Sequence, residues 1–159
     1  MQVIAVTAGS DEAVRSQVGE LFVAYRAFYG RRGDEDDARA FLRRRLERAD
    51  SLVWAAVDDD GQAVAFTQVY PGHSSVRLRT TWTLNDLFVS PHARGTGTGA
   101  ALVRHVLSEA VAAGAHEVRL ETQRGNTRAR ALYERLGFVL DGRDEGGEFV
   151  GYGWEPGCG

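Results

Sequence analysis

A glycine-rich segment between a predicted strand and a predicted helix limits the possible folds more than any other feature. Residues 89–99 read VSPHARGTGTG, with glycine at the alternate positions 95, 97 and 99. Because glycine lacks a Cβ atom, such a backbone can approach a ligand closely and point successive N–H groups into one concavity at the positive end of the helix. The segment therefore predicts an anion site that suits a phosphate, to which Arg94 and the hydroxyls of Thr96 and Thr98 add donors. The alternative is an ordinary glycine-rich turn that caps a helix.

The same segment argues against two familiar nucleotide-binding folds. Its pattern, G-x-G-x-G, differs from the dinucleotide pattern G-x-G-x-x-G, and about 60 residues follow it, too few for a dinucleotide domain built outward from this point. The chain also contains no lysine, since all 19 basic residues are arginine. A Walker-type phosphate loop, a Schiff base and a pyridoxal phosphate anchor each need a lysine amine and are therefore excluded.

The composition is typical of one globular domain. With 159 residues, 43% of them hydrophobic and 26% charged, the chain can bury a core, and we expect a single domain over residues 1–155 and a frayed tail at 156–159. The one cysteine, Cys158, cannot pair within the chain, which favours a reducing, cytoplasmic setting. A net charge of −3 argues against nucleic acid as a partner, and no apolar run suits a secretory signal or a membrane span. The histidines and the cysteine lack metal-ligand spacing, so we expect no metal.

Hydrophobic periodicity predicts the element order β-α-α-β-β-β-α-β-α-β-β. Apolar positions at steps of three and four predict helices, and β-rich runs beside Asp-Gly or Gly-Gly turns predict strands. The predicted segments are a strand at 1–7, helices at 10–30 and about 34–48, a hairpin at 51–57 and 62–70, a strand at 78–89, a helix at about 97–113 closed by Gly114, a strand at 118–122, a helix at 126–136 and one or two strands within 138–154. One βαβ crossover in this order predicts a mixed α/β sheet with helices on both faces.

Two segments resemble the GNAT superfamily of N-acetyltransferases. Residues 94–99, RGTGTG, match its acetyl-CoA pyrophosphate signature (Gln/Arg)-x-x-Gly-x-(Gly/Ala), and residues 126–138, NTRARALYERLGF, are similar to its second motif. The strand, loop, helix, strand and helix predicted over residues 78–138 stand in the family's order. The resemblance implies the GNAT fold, an α/β fold with a central mixed sheet of six to seven strands and helices on both faces.

The resemblance also implies acetyl-CoA as co-substrate, bound in a V-shaped gap between the parallel strands that end near Val89 and Thr122. In the family, main-chain groups of the strand before the loop pair with the pantetheine arm and supply an oxyanion donor, here at Phe88 or Val89. The loop binds the pyrophosphate, and the start of the next helix touches the pantetheine region. The implied cofactor-binding residues are Leu87, Phe88, Val89, Arg94, Gly95, Thr96, Gly97, Thr98, Gly99, Asn126, Ala129 and Tyr133.

Tyr133 matches the family's tyrosine that protonates the leaving CoA thiolate. A phenol suits this task because it donates a hydrogen bond to developing negative charge and remains neutral at pH 7. Judged by residue type alone, Tyr133 could instead be a core aromatic residue. Asn126 could likewise serve as a helix N-cap, and both roles can hold at once.

Two carboxylates are candidates for the general base. Many family members use a glutamate on the strand before the loop, but its approximate place here falls near Thr83, which cannot accept a proton from an amine. Asp86 is the nearest carboxylate, and Glu121, at the end of the neighbouring predicted strand, is the other. Either could bind a cationic amine or relay its proton through water, and for each the alternative is a structural role.

The run LNDLFV at 84–89, with LFVAYRAFY at 21–29, resembles the diamine, polyamine and amino-acid branch of the family. This resemblance implies direct acetyl transfer to a primary amine of a small molecule, without a covalent acetyl-enzyme, and a homodimer by analogy. Tyr25, Tyr29 and Trp82 are candidates for the walls of the acceptor pocket, with core packing as the alternative. Two other functions stay open: acetylation of a protein or peptide amine, and a non-catalytic acyl-CoA-binding sensor that lacks a working base.

Overall fold

Among the described residues, four helices and seven strands follow one another in the predicted order. A computed structural model describes residues 1–141 and 146–157, so residues 142–145 and the last two positions of the predicted tail, 158–159, lie outside the described residues. The strands are β1 Gln2–Val6, β2 Leu52–Val57, β3 Ala63–Ser74, β4 Arg79–Val89, β5 Glu117–Gln123, β6 Val139–Leu140 and β7 Phe149–Trp154. The helices are α1 Glu12–Phe28, α2 Glu35–Arg48, α3 Thr98–Ala112 and α4 Thr127–Arg135, with a 3-10 turn at Pro91–Ala93. Within the described ranges, no helix has the length and apolar character to cross a bilayer.

The seven strands form one mixed sheet in the order β1-β2-β3-β4-β5-β7-β6. β4 and β5 are parallel neighbours, and the other neighbouring strands pair antiparallel. α3 provides the crossover from β4 to β5, because parallel strands cannot be joined by a tight turn. The structure thus confirms the predicted α/β fold, with its mixed sheet and helices on both faces.

Two hydrophobic clusters lie on opposite faces of the sheet, since successive side chains of a strand point to opposite sides. On one face, α1 and α2 pack over β1 to β4, and Phe22 and Leu42 belong to the same buried cluster as Phe66. On the other face, α3 and α4 pack over the sheet, with Leu102 and Tyr133 in the cluster. The first cluster contains no described residue of β5 or β7. The helices α1 and α2 therefore leave that face of β5 and β7 open.

A bulge in β4 changes which face its side chains occupy. Gln68 of β3 pairs with Asp86, but the next residue of β3 pairs with Leu84, so Asn85 is an extra residue in β4. In a regular strand Leu84 and Phe88 would share a face; here Leu84 joins the α3-side cluster and Phe88 the α1-side cluster. The bulge therefore turns the side chain of Asp86 toward α1.

Beyond a short paired stretch, β4 and β5 separate. Their parallel pairing covers residues 81–83 of β4 and 117–119 of β5, ending with Thr83 opposite Arg119. Residues 84–89 and 120–123 of the same strands continue without pairing to each other. A V-shaped gap opens between them toward the carboxyl ends of both strands, as the resemblance implied.

Two of the differences from the predicted boundaries have a clear cause in the hydrogen bonding. Asp11, not Ser10, caps α1, because its carboxylate accepts a 2.8 Å hydrogen bond from the N–H of Ala13, whereas the Ser10 hydroxyl accepts one from the N–H of Thr7. β3 runs four residues further than predicted, to Ser74, because it stays paired with β4 as far as Arg79. α3 ends as predicted, with Gly114 at a φ of +72°.

Candidate active site

A cleft of about 640 Å³ lies beside the glycine loop, at the carboxyl end of β4; we call it the loop cleft. Its walls come from α1, β4, the loop, the first turn of α3 and one face of α4. The lining residues are Tyr25, Phe28, Tyr29, Leu87, Phe88, Val89, Ala93, Arg94, Gly95, Gly97, Thr98, Gly99, Ala100, Asn126, Arg128, Ala129, Ala131, Leu132 and Arg135. Of the residues predicted to bind the cofactor, all except Thr96 and Tyr133 line this cleft.

Two glycines shape the loop for an anion. Gly95 and Gly97 have φ of +85° and +89°, a left-handed conformation that costs other residues about 1–2 kcal/mol. Gly97 is the N-cap of α3 and offers no side chain to the N–H groups of the first turn, which have no partner within the helix. Thr98, Gly99 and Ala100 of that turn line the cleft. Their N–H groups, at the positive end of the helix dipole, are suited to a phosphate.

The hydroxyls expected as extra anion donors are instead used within the fold. Thr96 Oγ1 donates a 2.7 Å hydrogen bond to the Ala93 carbonyl and lies 2.8 Å from Thr98 Oγ1. Thr98 Oγ1 donates to the Met1 sulfur at 3.2 Å. These hydroxyls therefore hold the loop in shape. The main-chain role of Thr96 and Thr98 toward a phosphate stays a prediction.

Three arginines give the loop cleft a strongly positive lining. Arg94 lies with its guanidinium carbon 5.6 Å from the centre of the Phe88 ring and 5.9 Å from that of Phe28. Arg128 and Arg135 are seven residues apart on α4 and so lie on one face of the helix. Among the described residues that line the cleft there is no carboxylate. The lining thus favours a ligand with several negative charges.

A second cavity, of about 510 Å³, lies on the β5 side of the gap; we call it the β5 cavity. Its lining residues are Tyr25, Tyr29, Thr83, Leu84, Asn85, Leu87, Arg119, Glu121, Thr122, Asn126, Ala129, Tyr133 and Phe149. Five of these residues also line the loop cleft: Tyr25, Tyr29, Leu87, Asn126 and Ala129. The two spaces therefore meet between β4 and β5.

Asn126 and Tyr133 place the helix α4 against this meeting point. Asn126 is the N-cap of α4, with its side-chain oxygen accepting a 3.2 Å hydrogen bond from the N–H of Ala129, and it still lines both spaces. Tyr133 is 6% exposed and packs against the rings of Phe138 and Tyr152. Burial, and to a smaller extent the neighbouring Tyr29, raises the pKa of Tyr133 well above its ordinary value. Its phenol is therefore protonated at neutral pH.

Asp86 is a buried carboxylate held by two amide donors. It is 4% exposed and lines neither space. Gln68 Nε2 donates to it at 2.7 Å and Asn85 Nδ2 at 3.1 Å, and the Tyr25 hydroxyl lies beside it. The Ser51 hydroxyl holds Gln68 in turn, at 2.9 Å. Burial raises the pKa of Asp86, and the two amides and the Tyr25 hydroxyl oppose that shift. Because Tyr25 lines both spaces, it connects Asp86 to the gap.

Glu121, the other predicted carboxylate, is exposed and lines the β5 cavity directly. The two candidates therefore differ: Glu121 can touch a ligand, whereas Asp86 reaches one only through Tyr25. In residues 1–141 and 146–157, no group of three or more His, Cys, Asp or Glu is arranged to hold a metal ion.

The three aromatic residues predicted to line the acceptor pocket lie in two different environments. Tyr25 and Tyr29 line both spaces, but Trp82 belongs to the α3-side core, where its ring stacks on Trp54 at 6.1 Å. Two further residues, Arg119 and Phe149, line the β5 cavity but were not among the predicted site residues. Arg119 lies two residues before Glu121, so strand periodicity could have placed the two side chains on one face.

The chain matches the model of the acetyltransferase (GNAT) family over residues 18–138. It is 41% identical over 124 residues to the uncharacterized N-acetyltransferase YhfO of Bacillus subtilis (strain 168), a match that covers 78% of this chain and 83% of YhfO. A crystal structure of a probable acetyltransferase superposes with a TM-score of 0.81 at 32% identity, covering 89% of this chain and 91% of that one.

Two further relatives carry the name of an acceptor. The chain is 37% identical over 98 residues to streptothricin acetyltransferase of Streptomyces lavendulae and 31% identical over 111 residues to peptidyl-lysine N-acetyltransferase YjaB of Escherichia coli (strain K12). These matches cover 62% and 70% of this chain, but only 50% and 61% of the two relatives. With the family model matched over most of its length and the GNAT fold around the gap, this chain belongs to the GNAT family of acetyltransferases, enzymes that use acetyl-CoA.

Proposed function

We propose that this acetyltransferase moves the acetyl group of acetyl-CoA directly to a primary amine of a small molecule. The observation that carries the proposal is the gap between β4 and β5, which opens into the loop cleft on one side and the β5 cavity on the other. The positive loop cleft suits CoA, and the tyrosines and the carboxylate of the β5 cavity suit an amine. Leu87, Asn126 and Ala129 lie where the two substrates would meet.

The loop cleft fits the chemistry of CoA, which carries its phosphates at one end and a thin uncharged arm at the other. Arg94, Arg128 and the first turn of α3 offer positive charge and N–H donors to the phosphates. Beyond Thr83, β4 has no β5 partner, so main-chain groups on this edge can pair with the pantetheine arm as with an added strand; the Val89 carbonyl already accepts a 2.9 Å hydrogen bond from Arg94 Nε. Bound there, acetyl-CoA supplies the activated thioester.

Transfer requires a neutral amine, a donor for the oxyanion and a proton for the departing thiolate. We assign the oxyanion donor to a main-chain N–H at Phe88 or Val89. The proton comes from the hydroxyl of Tyr133, whose raised pKa keeps it protonated until the C–S bond breaks. As the C–N bond forms and the C–S bond breaks, the amine gives up one proton to a base and the thiolate takes one from Tyr133. The base then releases its proton and Tyr133 takes one back from solvent, which restores the enzyme.

We assign the base to Asp86, acting through Tyr25. The Tyr25 residue lies beside Asp86 and lines both spaces, so its hydroxyl can pass its proton to the carboxylate while it takes one from the amine. The phenol is unchanged by this exchange, and the proton ends on Asp86. Glu121, exposed in the β5 cavity, then binds the cationic part of the acceptor.

A peptide or protein amine is the second candidate acceptor, supported by the 31% identity to a peptidyl-lysine N-acetyltransferase. A small molecule is favoured by the 37% identity to streptothricin acetyltransferase. The β5 cavity, at about 510 Å³, also has the size of a small-ligand site. A cytoplasmic setting and a homodimer, implied by the single cysteine and by family analogy, complete the proposal.

The experiment is free-thiol release from acetyl-CoA with polyamines, amino acids, aminoglycosides and short peptides, with acetyl-CoA binding measured by calorimetry in parallel. Turnover with small amines and none with peptides supports the proposal. Turnover with peptides alone assigns the peptide reaction instead. Tight acetyl-CoA binding without turnover on any acceptor supports a non-catalytic acyl-CoA sensor and rejects the proposal.

A further inference from the structure

We propose that Arg119 selects acceptors that carry a carboxylate a few bonds from the reacting amine, so that the substrate class is amino acids rather than diamines or polyamines. This inference rests on the proposed function, since it concerns the acceptor of the same reaction. Arg119 is the one cation, and Glu121 the one carboxylate, among the described residues that line the β5 cavity.

Arg119 occupies the apex of the gap. It is paired with Thr83 in the last parallel pair of β4 and β5, at the point where the strands begin to separate. Glu121 follows two residues later on the same face of β5, about 7 Å along the strand. The open side of the sheet thus presents a positive group at the apex and a negative group next to it.

A buried carboxylate fixes the position of Arg119. Glu117 is 5% exposed, and its Oε2 lies 3.2 Å from Nε of Arg119 and 3.1 Å from Nη1 of Arg77. Its other oxygen accepts a 2.8 Å hydrogen bond from the Thr81 hydroxyl. These partners hold the pKa of Glu117 below its ordinary value despite burial, so it remains charged and keeps Arg119 in place. A guanidinium has five N–H donors, so the contact through Nε leaves donors for a second carboxylate.

The charge arrangement decides between two acceptor classes. A diamine can place an ammonium at Glu121, but it has no group for the remaining donors of Arg119, and an ammonium at the apex would meet a like charge. An amino acid places its carboxylate at Arg119 while its amino groups face Glu121 and the Tyr25–Asp86 pair. The aromatic rings of Tyr29 and Phe149 cover the aliphatic part between these groups.

The test compares matched acceptors that differ by one carboxylate: L-ornithine against putrescine, L-lysine against cadaverine, and 4-aminobutyrate against butylamine. For the wild-type enzyme we expect kcat/KM to be at least tenfold higher for the carboxylate-bearing member of a pair. Arg119→Gln should remove this preference, mainly by raising KM for that member, with little change for the amine that lacks the carboxylate.

Arg77→Gln is the matched control, because it removes the other arginine from Glu117 but does not touch the β5 cavity. It should keep most of the carboxylate preference. If Arg119→Gln does not fold, Arg119→Lys, which keeps the charge but loses the flat guanidinium, should show a reduced preference. Equal kcat/KM within every wild-type pair, or a preference unchanged in the Arg119 variants, overturns this inference and leaves the acetyltransferase function standing. Acetyl transfer to no amine at all rejects the proposed function itself.

Discussion

Gln68 Nε2 lies 2.7 Å from Oδ2 of Asp86, and both side chains are buried. This contact anchors a carboxylate that α1 covers and that meets the gap only through Tyr25. If Asp86 is the final acceptor of the amine proton, Asp86→Asn should lower kcat by about 100-fold or more, because general-base catalysis contributes about that much. Calorimetry should show an unchanged acetyl-CoA affinity, since Asp86 does not line the loop cleft.

Glu121→Gln is the comparison, because it removes the other candidate carboxylate. We expect it to raise KM for a cationic acceptor with kcat largely retained. The reverse pattern, with kcat lost in Glu121→Gln and retained in Asp86→Asn, would transfer the base role to Glu121.

The pH dependence of the wild type provides a second readout for Asp86. Only the ionised carboxylate accepts a proton, so kcat should rise with pH through the raised pKa of Asp86, and this rise should be absent in Asp86→Asn.

The free energy of unfolding should change with pH in the opposite direction to kcat. The folded state holds this proton more tightly than the unfolded chain, so the contribution of Asp86 to the free energy of unfolding falls as pH rises from about 4 through the raised pKa. Urea unfolding across this range measures the slope.

Tyr133→Phe removes one hydroxyl from a ring that stays buried. Because the phenol supplies the thiolate's proton, we expect the rate of the chemical step to fall by about 100-fold or more, with little change in acetyl-CoA affinity. Single-turnover kinetics measures the step without product release. Unchanged single-turnover rates would remove Tyr133 from the acid role and leave it as a core aromatic residue.

The glycine loop can be tested with two substitutions on the same helix. Gly97 precedes α3 at a φ of +89° and Gly114 follows it at +72°, and an added Cβ meets nothing within 4 Å at either position. Gly97→Ala and Gly114→Ala should therefore both cost about 1 kcal/mol of stability through backbone strain. Only Gly97→Ala should weaken acetyl-CoA binding. Equal affinities in the two variants would mean that the loop does not bind the phosphates.

Direct transfer predicts that Cys158, the single cysteine, takes no part in the reaction. Cys158→Ala should retain wild-type kcat and form no acetylated enzyme in the absence of acceptor, as intact-protein mass spectrometry would show. Loss of turnover in this variant would instead indicate a covalent acetyl-cysteine intermediate.

The sequence predicts best the features that lie close together along the chain. The loop at 94–99 and the helix that begins after Asn126 are contiguous patterns, and their physical causes are local: positive φ at glycine and an N-cap side chain. The element order follows for the same reason, because hydrophobic periodicity is a property of short segments.

Features that depend on register are not visible in the sequence. Arg119 reaches the apex of the gap only because it pairs with Thr83, 36 positions earlier in the chain, and no local pattern gives that register. Asp86 turns toward Tyr25 because of the bulge at Asn85, which shifts the alternation of β4. The residue type of Thr98 predicts a phosphate donor, but its hydroxyl donates to the sulfur of Met1, 97 positions earlier in the chain.

The most direct test of the proposed function is a crystal structure of this enzyme with CoA bound. We expect the phosphates against residues 95–99 and Arg128, the pantetheine arm along the unpaired part of β4, and the sulfur between Leu87 and the hydroxyl of Tyr133, facing the β5 cavity. CoA bound outside the gap, or with its sulfur turned away from Tyr133, would contradict it.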